Sequence, residues 1–235
     1  MDTGPATQPV ALITGASQGL GLELAKALAD RGWRLVVDAR RQDRLELAVA
    51  ELAQRTDVRA IAGDVADEAH RTSLAKAVRS LGRLDLLVNN ASTLGASPLP
   101  RLQEIDLEVL RRIYEVNVVA PLALAQELLP FLAESHGAII NITSDAAVEP
   151  YETWGGYGSS KAALEQLSAV LAVEQPEVRV WVVDPGDMRT EMHQDAFPGE
   201  DISDRPLPGT VAPRLVALVE SDGPSGRHRL AEVSS

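Results

Sequence analysis

Val10-Ala11-Leu12-Ile13-Thr14-Gly15-Ala16-Ser17-Gln18-Gly19-Leu20-Gly21 decides how the rest of the chain reads. A short apolar run enters a turn with glycines at 15, 19 and 21, and a stripe of Leu20, Leu24, Ala27 and Leu28 at helical spacing leaves it. Such glycines let the backbone turn sharply and let a pyrophosphate approach the helix N-terminus. Free N–H groups and the helix dipole favour negative charge there. A G-x-x-x-G-x-G string alone is weak evidence, because glycine-rich turns are common between strands and helices. Its placement between a strand and a helix, close to the N-terminus, points to nucleotide binding.

Working outward, further apolar runs stand at Leu35–Asp38, Val58–Ala62, Leu84–Asn89, Ala138–Thr143 and Val178–Asp184. Several are apolar almost throughout, as suits strands covered on both faces of a parallel sheet. Helical stripes alternate with them: Leu45, Ala48, Val49 and Leu52, then Leu74, Ala77, Val78 and Leu81. Strand–helix alternation with short links predicts right-handed crossovers, and hence an α/β fold with a doubly wound, mostly parallel sheet of about seven strands. Residues 1–8 read as a flexible tail and 9–235 as one domain. The pattern breaks over 195–213, with four prolines and two glycines, which predicts a mobile surface loop beside a substrate. A helical piece at Pro213–Glu220 and a closing run near Arg229–Val233 complete the expectation.

Composition removes whole classes of function. The 235-residue chain carries a net charge of −12, which disfavours nucleic-acid backbones as partners. With no cysteine and four histidines, none at i, i+4 spacing, neither thiolate chemistry nor a metal site is expected. No run of 18 apolar residues exists, and residues 1–9 lack the pattern of a signal peptide, so no membrane span is predicted and the expected location is cytoplasmic.

The second strand ends Val36-Val37-Asp38-Ala39-Arg40-Arg41. An acid just past this strand takes the ribose hydroxyls of NAD, whereas an arginine accommodates the 2′-phosphate of NADP. The sequence offers both Asp38 and Arg40, and Arg40 with Arg41 can equally be a solvated loop.

Together with motifs further along, these residues resemble the short-chain dehydrogenase/reductase family, in its compact single-domain branch, over about residues 9–191. T-G-x-x-x-G-x-G is Thr14 to Gly21. Asn89-Asn90-Ala91-Ser92 stands for the family's N-N-A-G, with Ser92 in place of glycine. Ser144 lies 13 positions before Tyr157 in a Y-x-x-x-K motif ending at Lys161, and Pro185-Gly186-Asp187-Met188-Arg189-Thr190 is similar to the segment that closes over the nicotinamide. Each motif is weak alone; their ordered combination is specific.

The resemblance implies a Rossmann-type fold and a cofactor held by Gly15, Ser17, Gln18, Gly19, Leu20, Gly21, Arg40, Asp64, Val65, Asn90, Ala91, Tyr157, Lys161, Pro185, Gly186, Met188 and Thr190. It assigns catalysis to Asn117, Ser144, Tyr157 and Lys161. The family's NAD-selecting acid falls on Ala39, followed by Arg40, which implies NADP(H) as the preferred cofactor with NAD possible. Gln18 occupies a place where many NADP-preferring members carry a basic residue. The expected reaction moves a hydride between nicotinamide and a small carbonyl or secondary-alcohol substrate.

The residue types suit that chemistry. Carbonyl reduction needs a proton donor beside the developing alkoxide, and free tyrosine, with a pKa of about 10, ionises too reluctantly at neutral pH. A lysine four residues on lies on the same helix face, and its charge, with that of an oxidised nicotinamide, is expected to favour the tyrosinate and lower the Tyr157 pKa. Ser144 would orient the substrate oxygen, and Asn117 would link the tyrosine to solvent through water and Lys161. Taken singly, each has a plainer reading: Tyr157 as packing, Lys161 as a surface charge, Ser144 as a strand-end hydroxyl, Asn117 as a backbone-satisfying amide. Tyr151, Trp154, Met192, His193 and Phe197 are expected to wall the substrate pocket.

Two alternatives stand beside the oxidoreductase: a nucleotide-sensing or scaffold module without turnover, and an epimerase or dehydratase of the same family, whose usual extra domain 235 residues leave little room for. A homodimer or homotetramer is expected through the helices around Leu107–Ser135 and Tyr157–Glu174. Leu122, Leu128, Leu132, Leu164, Leu167 and Leu171 are the candidate interface residues, each equally readable as sheet-facing core.

Overall fold

The computed structural model describes residues 8–221 and 223–230. Most of the predicted tail, 1–8, therefore lies outside the described residues, as do positions 231–233 of the predicted closing run. Seven strands form one sheet: β1 (Val10–Ile13), β2 (Arg34–Ala39), β3 (Val58–Ala62), β4 (Leu86–Asn89), β5 (Ala138–Ile142), β6 (Arg179–Asp184) and β7 (Gly226–Arg229). Their order is β3-β2-β1-β4-β5-β6-β7, and every neighbouring pair is parallel. The order reverses between β1 and β4. Ligands bind outside the carboxyl ends of the strands at such a switch point.

Strands β1, β2, β4, β5 and β6 are largely apolar because both faces are covered, whereas β3 and β7, at the sheet edges, are partly exposed. Ala11, Ile13, Leu35 and Val37 pack with Leu24 and Leu28 of α1 (Gly19–Ala29), Leu45 and Leu52 of α2 (Gln42–Leu52) and Leu215 of α8 (Pro208–Glu220). The alternating residues Val10, Leu12 and Val36 face the other way. They meet Leu74 and Val78 of α3 (Glu68–Leu81) and Leu124, Leu128 and Leu132 of α5 (Ala120–Glu134). Truncating one of these fully buried leucines to alanine removes core contacts and leaves a cavity, at a cost of about 2–5 kcal/mol.

Local chemistry sets the boundaries. The Asp67 carboxylate accepts from the Ala69 amide to start α3, and Gly82, at φ 70°, stops it in a left-handed conformation. Pro208 opens α8, five residues ahead of the predicted start, because a proline at the first helical positions costs no hydrogen bond. The irregular stretch therefore narrows to 197–207, between α7 (Glu191–Ala196) and α8. Strand β7 also begins earlier than the closing run predicted. Its residues, Gly-Arg-His-Arg, form a polar edge strand with no apolar run to announce it.

A helical stretch over Leu107–Glu134 contains an 18-residue window of mean hydropathy 1.5, long and apolar enough to cross a membrane. It comprises α4 (Leu107–Tyr114), a π-helical turn (Glu115–Val119) and α5. The apolar residues of its last segment are spent on the sheet: Leu124, Leu128 and Leu132 are each within 1% of complete burial.

Candidate active site

At the switch point a cleft of about 750 Å³ runs from the glycine turn to the ends of β5 and β6. Gly15 (φ 66°) and Gly19 (φ 57°) take the left-handed conformation that favours glycine. A Cβ on Gly21 would come to 2.5 Å from Asn90 Nδ2 and 2.6 Å from the Gly15 carbonyl, so no larger residue fits. The turn is braced from β4: Asn90 Nδ2 donates to the carbonyls of Thr14 (2.9 Å) and Gly15 (3.1 Å). The Thr14 hydroxyl in turn accepts from the amides of Asn90 and Ala91, each at 3.0 Å. No side chain caps the start of α1 and no acid lies in its first turn. Its leading amides and dipole are thus left for an anion. A nucleotide pyrophosphate fits these features.

Of the predicted cofactor set, Gly15, Ser17, Gln18, Gly19, Leu20, Arg40, Asp64, Val65, Asn90, Ala91, Tyr157, Lys161, Pro185, Gly186, Met188 and Thr190 all line the one cleft. Gly21 stands behind it, packed on Asn90. The Asp64 carboxylate accepts from the Ala66 amide (3.0 Å) and pairs with Arg112. Partial burial opposes its ionisation, but those two partners outweigh burial and hold it below the usual carboxylate range.

Asp38, one of the two candidate selectors, is 1% exposed and committed elsewhere. One carboxylate oxygen accepts from the Gly15 amide (2.7 Å), and the other lies 2.9 Å from His70 Nε2. Burial raises its pKa, with His70 and Gly15 pulling the other way. Arg40, by contrast, is exposed at the cleft, where its charge also helps to hold Asp64 ionised. Sequence reasoning missed Arg44. From the first turn of α2 it reaches the Gln18 side chain and bonds Glu191 Oε2 at 2.6 Å. A cation thus stands beside Gln18 after all, supplied by another element. No local spacing announced it, because Arg40 lies ahead of the helix and the partners of Arg44, Gln18 and Glu191, are 26 and 147 positions away.

At the other end, Ser144 follows β5, while Tyr157 and Lys161 stand one turn apart on α6 (Gly155–Glu174). Tyr157 is 8% and Lys161 2% exposed. Lys161 Nζ sits 5.5 Å from the Tyr157 ring centre and donates to the Ile142 carbonyl at 2.8 Å. The protein's own groups oppose ionisation at this end. Burial raises the Tyr157 pKa above its ordinary value, opposed by a hydrogen bond with Ser92 and reinforced by Asp184 and Asp145. Burial also pulls Lys161 down to about 7, which works against the ammonium that would favour the tyrosinate. The protein's own groups keep the hydroxyl protonated, the form that donates.

The Ser144 hydroxyl donates to Asp145 Oδ1 at 3.0 Å, and Tyr151 donates to Asp145 Oδ2, also at 3.0 Å. The Asn117 amide is fully engaged. Its oxygen accepts from the Ser92 hydroxyl (3.1 Å) and the Thr93 amide (2.9 Å), and its nitrogen donates to the Thr93 carbonyl and to Ser160, each at 3.0 Å. The π-helical turn places it there, tying the β4–α4 loop to α6. Ser92, in place of the motif glycine, is absorbed into this network.

Of the expected substrate wall, Trp154, Met192 and His193 line the cleft, while Tyr151 and Phe197 stand outside its lining. Trp154 meets Tyr157 edge-on at 5.8 Å, Phe197 lies 5.8 Å from Trp154, and His193 lies 4.9 Å from Phe197. Tyr151 is 48% exposed and touches the site through Asp145. The Arg189 amide donates to the Pro206 carbonyl at 2.9 Å, folding the 197–207 stretch back over the Pro185–Thr190 segment.

The sequence pattern of the short chain dehydrogenase family matches residues 9–201. The chain is 37% identical to a sepiapterin reductase of Mus musculus over 199 residues, covering 79% of this chain and 76% of that protein. It is 36% identical to a serine 3-dehydrogenase of Agrobacterium fabrum over 184 residues, covering 77% and 72%. In three dimensions it is similar to an alcohol dehydrogenase of the archaeon Thermococcus sibiricus complexed with 5-hydroxy-NADP, with a TM-score of 0.85, 29% identity and coverage of 94% of this chain and 95% of that one. A 7α-hydroxysteroid dehydrogenase complexed with NADH superposes with a TM-score of 0.84 at 29% identity, covering 94% and 92%. The ordered motifs, the parallel sheet and the shared cleft therefore agree: the chain belongs to the short-chain dehydrogenase/reductase family of NAD(P)-dependent oxidoreductases.

Proposed function

We propose that the protein is an NADP(H)-preferring oxidoreductase that interconverts a carbonyl and a secondary alcohol, with Tyr157 as the proton donor and acceptor. The observation that carries the reading is the Ser144–Tyr157–Lys161 set in one cleft with the braced glycine turn. A sensor or scaffold has no need of all three.

Nicotinamide supplies and accepts the hydride when bound. The α1 amides would hold the pyrophosphate, Asp64 and Val65 the adenine, Lys161 the nicotinamide ribose, and Pro185–Thr190 the nicotinamide face. NADP(H) is favoured because Ala39 leaves no acid at the ribose, Asp38 is bonded at both oxygens, and Arg40 stands exposed at the rim with Arg41 and Arg44 beside it.

In the reductive direction, the Ser144 hydroxyl turns from Asp145 to the carbonyl oxygen and fixes it beside Tyr157. The buried, protonated phenol donates to that oxygen as the alkoxide develops. Asn117 acts as a positioning residue, its side-chain amide tying the β4–α4 loop to α6. Trp154 and Met192, which line the cleft with His193 and are backed by Phe197, suit a substrate with an apolar face. We further propose a homodimer or homotetramer built on α5 and α6. Leu128, Leu132 and Leu164 are buried within the subunit, which leaves half-buried Leu122, Leu167 and Leu171 with exposed Val170 and Val173 for the contact. Light scattering tests the assembly, and a monomer at micromolar concentration would overturn it.

The functional test is loss of reduced-nicotinamide absorbance against a carbonyl panel, run with NADPH and NADH. Turnover that is faster with NADPH at low cofactor supports the reading; turnover with neither cofactor would sink it.

A further inference from the structure

His70 has no part in the chemistry above, yet it is 7% exposed and bonded to a residue of the cofactor cleft. It lies in the first turn of α3, and its Nε2 holds Asp38 Oδ2 at 2.9 Å. The other Asp38 oxygen accepts from the Gly15 amide, and the Asp38 carbonyl accepts from Ala16 N at 2.9 Å. Gly63, at the end of β3 beside Asp64, leaves room for the ring: a Cβ there would overlap the imidazole, with Nδ1 the nearest atom. A continuous chain of contacts thus runs Gly63–His70–Asp38–Gly15, from the adenine side of the cleft to the phosphate turn.

The placement has a consequence for cofactor choice. Asp38 ends β2 two residues before Arg40, and it lines the cleft. A carboxylate free to swing there would accept from a ribose hydroxyl and repel a 2′-phosphate. Bonded at both oxygens, it can do neither.

We propose that His70, seated by Gly63, is a specificity-determining positioning residue: it pins Asp38 against the glycine turn and so withholds an acid from the ribose, which favours NADP(H) over NAD(H). The inference rests on the NADP(H) reading above, and the experiment separates the two.

Dissociation constants for NADPH and NADH are measured by fluorescence titration of the whole protein. In the wild type, a ratio favouring NADPH supports the cofactor reading, and a ratio favouring NADH overturns that reading alone. His70→Leu then tests the brace. The expected result is a shift of the ratio toward NADH by threefold or more, seen also in the cofactor KM rather than in kcat. His70→Gln, which keeps a donor, should preserve the wild-type ratio. Adding Asp38→Asn to His70→Leu should cancel the shift, because no carboxylate remains to be released. If His70→Leu does not fold, Gly63→Ala displaces the ring by another route and should shift the ratio the same way. A ratio that moves less than threefold, or a shift that survives Asp38→Asn, overturns the proposal. A purely structural His70 would weaken both cofactors alike and leave the ratio unchanged.

Discussion

The two ends of the cleft are built from different materials. At the phosphate end the working groups are backbone amides, and side chains serve as braces: Asn90 under the turn, Thr14 across to β4, Asp38 behind Gly15. At the nicotinamide end the working groups are the side chains of Ser144, Tyr157 and Lys161, held by burial on α6 and on the loop after β5. A backbone site fails when the chain cannot adopt its path. A side-chain site fails when one functional group is changed. The first failure removes binding, and the second removes chemistry.

Substitutions at each end break or sharpen that contrast. Gly21→Val carries the largest expected effect, because its side chain would enter the space of Asn90 Nδ2 and the Gly15 carbonyl. We expect no measurable binding of either cofactor by calorimetry, together with lower thermal stability; tight NADPH binding would dissolve the contrast. Arg40→Ala comes next. A charged hydrogen bond contributes about 1.5–3 kcal/mol, so NADPH should weaken roughly ten- to a hundredfold with NADH little changed. Equal losses for both cofactors would remove Arg40 from the 2′-phosphate. Asp145→Asn is smaller still. It takes a negative charge from beside Tyr157 and loosens the hold on the Ser144 hydroxyl. A rise in kcat of a few-fold, with the basic limb of the pH–rate profile moved to lower pH, is expected; an unmoved profile would show that Asp145 is not felt at the tyrosine.

The pH dependence of stability sharpens the chemical end further. Lys161 has a folded pKa of about 7, well below its unfolded value. Between those values the unfolded chain holds the extra proton, so folding stability rises with pH above 7 and is flat below it, where both states are protonated. Relative to Lys161→Met, the wild type should gain in melting temperature as pH rises from neutral toward 10. The opposite slope would mean that the ammonium is favoured by its site. Tyr157, raised in the folded state, contributes nothing to this window and costs stability only above its unfolded pKa, about 10.

The contrast also explains what the sequence disclosed. The glycine turn and the apolar strands β1, β2, β4, β5 and β6 were legible because their signals are local: positive φ demands glycine, and two-sided burial demands nearly unbroken apolar runs. Strand β7 escaped because an exposed edge needs no such run. Ser144, Tyr157 and Lys161 could be placed together by spacing and resemblance, but the sign of their electrostatics could not. The i, i+4 relation brings lysine to tyrosine, while only the surrounding packing shows that burial works against the ammonium. His70 and Arg44 stayed hidden for a third reason. Their partners, Asp38 and Glu191, lie 32 and 147 positions away.

The most direct test of the account is the rate of NADPH oxidation by Tyr157→Phe, at saturating cofactor and with the best carbonyl found for the wild type. General acid catalysis by a positioned group contributes about 10²–10⁴-fold, and the variant should lose a factor in that range while binding NADPH as the wild type does. Turnover within a few-fold of the wild type would contradict the assignment of Tyr157 as the proton donor.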